Sequence, residues 1–194
     1  MRSIGCDASV TEVLAAALDR VGLIVDELED CALAAPSVCA GWSVTALISH
    51  MTAVTEKFTA FARGETDAPR QREVIDEDVR VRYAATAAAS HAAWRGDSMP
   101  ELCRLPFGEF DRWTAAAINA FDVIVHGWDL ACSVDREYDV DDASGALASS
   151  VALLLTTPAA RRDGHYGSTE PAADAHTPFE RALALTGRDP RAGR

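Results

Sequence analysis

The sequence predicts an all-α protein in which four long helices form a bundle and short accessory helices complete it. Apolar residues recur at three- and four-residue spacing through four long segments, which is the pattern of helices with one buried face. Ser, Thr or Asp stands at the expected start of most helices, where its side chain can cap free backbone amides. Alternating or β-branched runs of strand length are nearly absent, so a sheet-based fold is disfavoured.

Helix one is predicted from a start signal and a long apolar face. Ser9 and Glu12 match a capping box, in which each side chain accepts a hydrogen bond from a free backbone amide. The helix therefore begins there, and its apolar spacing continues to Leu28. Ala35 and Pro36 are expected to end it.

Helix two starts at Ser43, a suitable N-cap, and runs to about Arg63, where Gly64 supplies a C-terminal stop. His50 lies at the margin of its apolar side and is predicted to face inward. The polar side of this helix is predicted to comprise Thr45, Ser49, Thr52 and Glu56.

A polar loop over residues 65–72 leads to helix three, which is predicted from about Val74 to Trp94. The stretch Leu102–Phe110 combines alternation with a Pro-Phe-Gly turn, which fits either a short extended excursion or a small hairpin. Asp111 is the predicted cap of helix four, which ends around Ser133.

The remaining chain is expected to hold two shorter helices around a polar span. One helix covers about Asp142–Leu155, with Asp141 or Asp142 as its cap, and residues 156–176 are a loop or lid. Thr177–Glu180 reads TPFE, a second capping box with proline at the first helical position, so a closing helix runs to Gly187. We expect residues 1–194 to form a single domain.

The amino-acid composition limits the classes of molecule that the protein is expected to bind. The net charge of −12 and the pI near 4.7 disfavour nucleic acid and acidic membrane surfaces, which need a cationic face. Five cysteines without CxxC spacing indicate neither a disulfide framework nor a zinc ribbon. No signal peptide or membrane span is recognised, so a soluble cytoplasmic protein acting on a small molecule is expected, as a monomer or a homodimer.

The strongest chemical signal lies in helix four, within the run NAFDVIVHGWD from Asn119 to Asp129. Asp122 and His126 stand four residues apart, so both side chains leave one helix face. That spacing suits two ligands of one metal ion, and it also suits an exposed local hydrogen bond. His50 is the candidate third ligand from across the bundle. We therefore predict a metal site with ligands His50, Asp122 and His126.

Three further residues lie near this set in the sequence or in the predicted bundle. Asp129 is our candidate catalytic residue, placed one turn beyond His126, where it can orient that ligand. Asn119 is expected to be solvated. Trp42 is expected to serve packing, because aromatic side chains dominate protein cores.

The chain resembles the DinB-like helical bundle proteins, and within them the branch of mycothiol-dependent maleylpyruvate isomerases and small actinobacterial metal-binding relatives. The resemblance rests on four runs in the right order: CAGWSVTALISHM around His50, LPFGEF before helix four, FDVIVHGWDLA around His126, and ALTGRDP near the end. It implies a four-helix bundle with a divalent metal, zinc above all, held by His50, Asp122 and His126. The isomerases that the chain resembles have glutamate at the position of Asp122, so this chain carries a shorter carboxylate there.

Three functions remain open from these residues and the resemblance. The first is a metal-dependent transferase or isomerase that uses a thiol, with mycothiol as co-substrate and a small electrophilic metabolite as substrate. The second is a thiol-independent, metal-dependent lyase, cyclase or hydrolase of specialised metabolism. The third is a non-catalytic protein that binds a metal or ligand. We take the first as the leading hypothesis.

Overall fold

A computed structural model describes residues 8–65, 78–96, 99–105, 108–168 and 177–192. This part of the chain is mostly helical, which confirms the all-α prediction. Its helices are α1 (Ala8–Asp26), α2 (Asp30–Leu33), α3 (Val44–Ala62), α4 (Val79–Ala93), α5 (Arg112–Ser133), α6 (Asp142–Leu155), α7 (Pro158–Arg162) and α8 (Pro178–Thr186), and its strands are β1 (Leu102–Leu105) and β2 (Gly108–Asp111).

The four longest packed helices, α1, α3, α4 and α5, form the bundle. Helix α1 packs against α4 and α5, and helix α3 packs against the same two, so the four helices close a ring around one core. Helix α5 also packs against α6, and α6 packs against α8. Helix α5 is therefore covered on most sides, and its alanines 115, 116, 117 and 120 are fully buried. Within the described residues, no helix combines the length and apolarity required to cross a lipid bilayer.

Most predicted caps are confirmed. Ser43 Oγ accepts a hydrogen bond from the Ala46 amide at 3.1 Å, and Asp111 Oδ1 accepts from the Trp113 and Thr114 amides at 3.0 Å each. Asp141, rather than Asp142, caps α6. The capping box of Thr177 and Glu180 is present, and α8 ends at Gly187 with φ +86°.

Three predicted helix boundaries are wrong. Helix α1 begins at Ala8, so Ser9 lies inside the helix instead of at its N-cap. The same helix ends at Asp26, because Glu29 takes an extended conformation and a separate turn, α2, follows. Helix α4 begins after Asp78, whose Oδ1 accepts from the Arg80 amide at 2.9 Å, and not near Val74. Residues 66–77 and 97–98 lie outside the described residues.

The structure decides between the two alternatives for residues 102–110 in favour of the hairpin. Strands β1 and β2 are antiparallel, with Cys103 opposite Phe110 and Leu105 opposite Gly108. The polar span after α6 is only partly a loop, because α7 occupies its beginning with Thr157 as N-cap. Residues 169–176 lie outside the described residues, so the lid prediction is not tested there.

Gly127 is required where α5 crosses α1. A Cβ at Gly127 would lie 2.6 Å from Val21 Cγ2 and 2.8 Å from Tyr138 Cζ, well inside van der Waals contact. We predict that Gly127→Ala lowers the free energy of unfolding by about 1–3 kcal/mol, as overpacked cores do. Urea denaturation followed by circular dichroism measures this.

Gly22→Ala in α1 is the matched control. Its Cβ would meet only Tyr83 Cε1, at an ordinary 3.8 Å, so the higher helix propensity of alanine should leave stability unchanged or raise it by up to about 1 kcal/mol. Equal destabilisation by both substitutions would contradict the close approach at Gly127.

Candidate metal centre

Helices α3 and α5 bring the three predicted ligands together. His50 projects from α3, and Asp122 and His126 project from successive turns of α5. His50 Nε2 lies 3.6 Å from Asp122 Oδ1, and His126 Nε2 lies 3.9 Å from the same oxygen. The two imidazole rings meet edge to face, with centroids 4.9 Å apart. One donor atom from each residue lies within 4.8 Å of the other two.

These separations fit a shared cation better than direct hydrogen bonds. Both nitrogen–oxygen distances exceed the usual 2.7–3.2 Å of a hydrogen bond. Two ligands of a tetrahedral zinc ion, at bond lengths of about 2.1 Å, lie about 3.4 Å apart. The second oxygen of Asp122, Oδ2, is buried and has no hydrogen-bond partner among the described residues. A buried carboxylate oxygen without a partner is costly, and a cation removes that cost.

The donors are reachable from one side. The side chain of His50 is 35% exposed and that of Asp122 is 21% exposed. Trp42 lies beside them, with its ring centroid 4.9 Å from that of His50 and 6.2 Å from that of His126. Trp42 is itself exposed, so it forms an aromatic wall at the mouth of the site instead of filling the core as a packing residue.

Asp129 lies behind His126. Its side chain is 2% exposed, and His126 Nδ1 lies 2.8 Å from its Oδ2. Because a carboxylate only accepts, this hydrogen bond assigns the ring proton to Nδ1 and leaves the lone pair of Nε2 directed toward Asp122. Carboxylates commonly orient metal-binding histidines in this way.

Arg188 pairs with the same carboxylate. Arg188 Nε donates to Asp129 Oδ1 at 2.8 Å, and Nη2 donates to Oδ2 at 2.6 Å. Burial by itself raises the pKa of Asp129, but the hydrogen bonds and charges of Arg188 and His126 outweigh it and hold that pKa well below its ordinary value. The arginine follows α8, so the pair joins the segment after α8 to the C-terminal part of α5.

Cys39 is the third neighbour of Asp129. Its Sγ lies 3.3 Å from Asp129 Oδ2. Burial, followed by the charge of Asp129 and the hydrogen bond to it, raises the pKa of this thiol to about 12. Cys39, His126 and Asp129 also place one donor atom each within 4.8 Å of one another, so they form a second set of possible metal ligands.

Two polar side chains expected to face solvent are buried. Asn119 is fully buried, and its Oδ1 lies 3.4 Å from Thr55 Oγ1, which donates to it, so the expectation of a solvated Asn119 is wrong. Thr52, predicted on the polar side of α3, is also fully buried and donates its hydroxyl to Ile48 O at 2.7 Å. The local hydrogen bond of Thr52 makes its burial tolerable. Asn119 is paired across the helices through its oxygen, whereas its Nδ2 has no hydrogen-bond partner among the described residues.

The segment after α7 approaches the site. Tyr166 is partly buried, and burial followed by the negative charge of Asp122 raises the pKa of its phenol. Arg161 holds this segment against α8 by donating to Leu185 O at 2.6 Å. His91 lies elsewhere, 3.5 Å from Asp19 of α1, His165 is exposed, and His176 lies outside the described residues.

A helical bundle with two histidines and a carboxylate on facing helices defines the protein as a DinB-like bundle. The chain belongs to the mycothiol maleylpyruvate isomerase N-terminal domain family, whose model matches residues 14–131. This confirms the resemblance noted in the sequence. The match includes all three predicted ligands and Asp129, whereas Arg188 lies beyond it.

The relatives found in curated collections are themselves without an assigned activity. The chain is 25% identical over 160 residues to the uncharacterized proteins Rv0738 and MT0763 of two Mycobacterium tuberculosis strains. Each match covers 82% of this chain and 86% of the relative. No solved structure matches the chain significantly.

The Asp129–Arg188 pair predicts a defined pH dependence of stability. Because the pKa of Asp129 is lowered by folding, its contribution is complete above the unfolded value of about 3.9 and is lost as pH falls toward the folded value. We predict that Asp129→Asn destabilises the protein at pH 7 by about 2–4 kcal/mol, since Arg188 loses its buried counter-charge. Urea unfolding at pH 7 and pH 3 should show this difference shrinking at the lower pH. A difference independent of pH would contradict the assignment.

Proposed function

We propose that this protein is a metal-dependent enzyme that uses a low-molecular-weight thiol, mycothiol, as a transferase or isomerase acting on a small electrophilic metabolite. Membership of the mycothiol maleylpyruvate isomerase N-terminal domain family supports the thiol and the metal. The proposal rests above all on one observation: two histidines from two helices converge on the carboxylate of Asp122, whose Oδ2 lacks a hydrogen-bond partner among the described residues.

In this proposal His50, Asp122 and His126 hold a divalent ion, and the ion is zinc. Two neutral imidazoles and one carboxylate are a donor set that zinc accepts in catalytic sites. When bound, such an ion leaves a coordination position for a thiol and favours its thiolate form, which is the nucleophile. Asp129 acts as a positioning residue, because it holds the ring of His126 and does not itself face solvent.

The thiol is proposed to come from outside the chain. Cys39 is the cysteine that contacts this cluster, and its hydrogen points at Asp129, while its raised pKa keeps it protonated. It is therefore a poor nucleophile, and an external thiol suits the site better. In an isomerisation the external sulfur forms a bond to one carbon of an electron-poor double bond, and the π pair moves to the activating carbonyl. Rotation about the resulting single bond and reversal of these steps expel the thiolate and yield the isomer.

The exposed ring of Trp42 gives the substrate a surface. It lies beside both histidines, with ring centroids 4.9 and 6.2 Å from theirs, and it is exposed. A planar conjugated substrate can stack on such a ring while its reacting carbon faces the donors. This placement suits a small unsaturated metabolite.

Loss of either histidine should remove the metal. We predict that wild-type protein purified with zinc carries about one ion per chain and that His50→Ala and His126→Ala lose most of it, because two protein ligands rarely retain the ion. Elemental analysis by mass spectrometry, with circular dichroism to verify the helices, measures this. Asp122→Asn should also reduce metal content, to a smaller degree, since an amide oxygen can still coordinate.

His165→Ala is the matched control. This histidine is exposed and stands outside the cluster, so metal content should remain at the wild-type level. Equal zinc in His126→Ala and in the wild type would refute the ligand assignment.

A thermal-shift experiment tests the thiol. We predict that mycothiol at about 100 times its Kd raises the Tm of zinc-loaded protein by about 5–10 °C. Removal of zinc with a chelator should abolish the shift, because the sulfur then has no cation to contact.

Mycothiol methylated at sulfur is the control, since it keeps the sugars and cannot form a thiolate. An equal shift with the methylated compound would show binding that does not involve the sulfur. If mycothiol leaves the Tm of the zinc-loaded protein unchanged, the thiol-independent lyase, cyclase or hydrolase is favoured.

A further inference from the structure

His126 belongs to two sets of possible metal ligands at once. Its Nε2 faces Asp122 and His50. We call His50, Asp122 and Nε2 of His126 the outer set. Its Nδ1 faces Asp129, whose Oδ2 also lies 3.3 Å from Cys39 Sγ. We call Cys39, Asp129 and Nδ1 of His126 the inner set. Each set brings its donors within 4.8 Å of one another.

The two sets exclude each other. A neutral imidazole has one protonated nitrogen and one nitrogen with a free lone pair, and only the latter binds a metal. A cation in the inner set would need the lone pair on Nδ1 and would place the proton on Nε2. The outer set would then lose one of its three ligands. The position of one proton on His126 thus decides which set can hold an ion.

Arg188 contacts the carboxylate of the inner set and blocks access to it. Its guanidinium donates to both oxygens of Asp129, at 2.8 and 2.6 Å, and so occupies the carboxylate that a cation would need. It also places a positive charge beside that carboxylate, which repels a second cation. The charge of Arg188 also reaches Asp122, but its side chain donates hydrogen bonds to Asp129. Asp122 Oδ2 has no hydrogen-bond partner among the described residues, so no guanidinium occupies the carboxylate of the outer set.

We propose that Arg188 is the residue that selects between the two sets: it blocks the inner set, keeps the proton of His126 on Nδ1 and leaves Nε2 free for the outer set. The inner set is a latent metal site with a sulfur ligand, closed by the guanidinium. This inference rests on the proposed function for the identity of the outer set. It adds that the choice of ligand set is controlled from a residue after α8, outside the segment that the family model covers.

Cobalt(II) distinguishes the two sets by spectroscopy, because a Co–thiolate bond gives a sulfur-to-metal charge-transfer band in the near ultraviolet and nitrogen and oxygen ligands do not. We expect wild-type protein to bind Co²⁺ without this band. Arg188→Met should acquire the band with about one Co²⁺ per chain. Arg188→Lys keeps the positive charge and should resemble the wild type. The double variant Arg188→Met with Cys39→Ser should lose the band again.

The controls separate this inference from the proposed function. Absence of Co²⁺ binding to the wild type, with a sulfur band in Arg188→Met, would refute the outer site and support the guard. An Arg188→Met protein that is folded and shows no sulfur band overturns the guard, whatever the wild type does. Should Arg188→Met fail to fold, Arg188→Gln removes the positive charge and leaves at most one neutral donor toward Asp129. It should show the sulfur band at excess Co²⁺, and a folded Arg188→Gln protein without the band overturns the proposal. A merely structural role for Arg188 changes stability in these variants and leaves the spectrum unchanged.

Discussion

The buried carboxylate of Asp129 is the interaction on which the site depends. It accepts hydrogen bonds from Arg188 and His126 and lies next to Cys39, so three separate parts of the chain meet at one side chain that is 2% exposed. Through Arg188 it fixes the end of α8 to α5, and through His126 it sets the direction of a ring nitrogen. Tertiary packing and candidate chemistry are therefore joined at a single residue.

Such a cluster is poorly explained by stability alone. Burying an ion pair sacrifices the hydration of both charges, and well-packed apolar residues often stabilise a core as well or better. Helix α5 otherwise follows that rule, because its alanines, valines and isoleucines are almost fully buried. The polar stripe of Asn119, Asp122, His126 and Asp129 interrupts this core on one face. The ion that we propose between α3 and α5 would account for the interruption.

The sequence predicted what depends on neighbouring residues. Helix caps such as Ser43 and Asp111 act within three residues, so local pattern was sufficient, and the i, i+4 spacing of Asp122 and His126 placed both on one face. Boundaries that depend on extended residues, such as the break before α2, carried no comparable local signal. Arg188 was missed as a site residue because its partner lies 59 positions earlier, although it stands within the ALTGRDP run that carried part of the family resemblance. Burial of Asn119 was missed for the same reason, since only the packing of α3 on α5 reveals it.

The difference in exposure between the two ligand sets explains why a guard is useful. In the inner set Asp129 is nearly inaccessible and Cys39 and His126 are partly buried, so an ion there would be less accessible to a substrate than one in the outer set. In the outer set the side chains are 17–35% exposed and Trp42 borders the opening. Under the proposed function, a thiol and a substrate reach the more exposed outer set. A thiolate ligand attracts zinc strongly, so an unguarded Cys39 would draw the ion to the position where no substrate can reach it. In our proposal, the pairing of Asp129 with Arg188 removes that competition and keeps the same carboxylate available to orient His126.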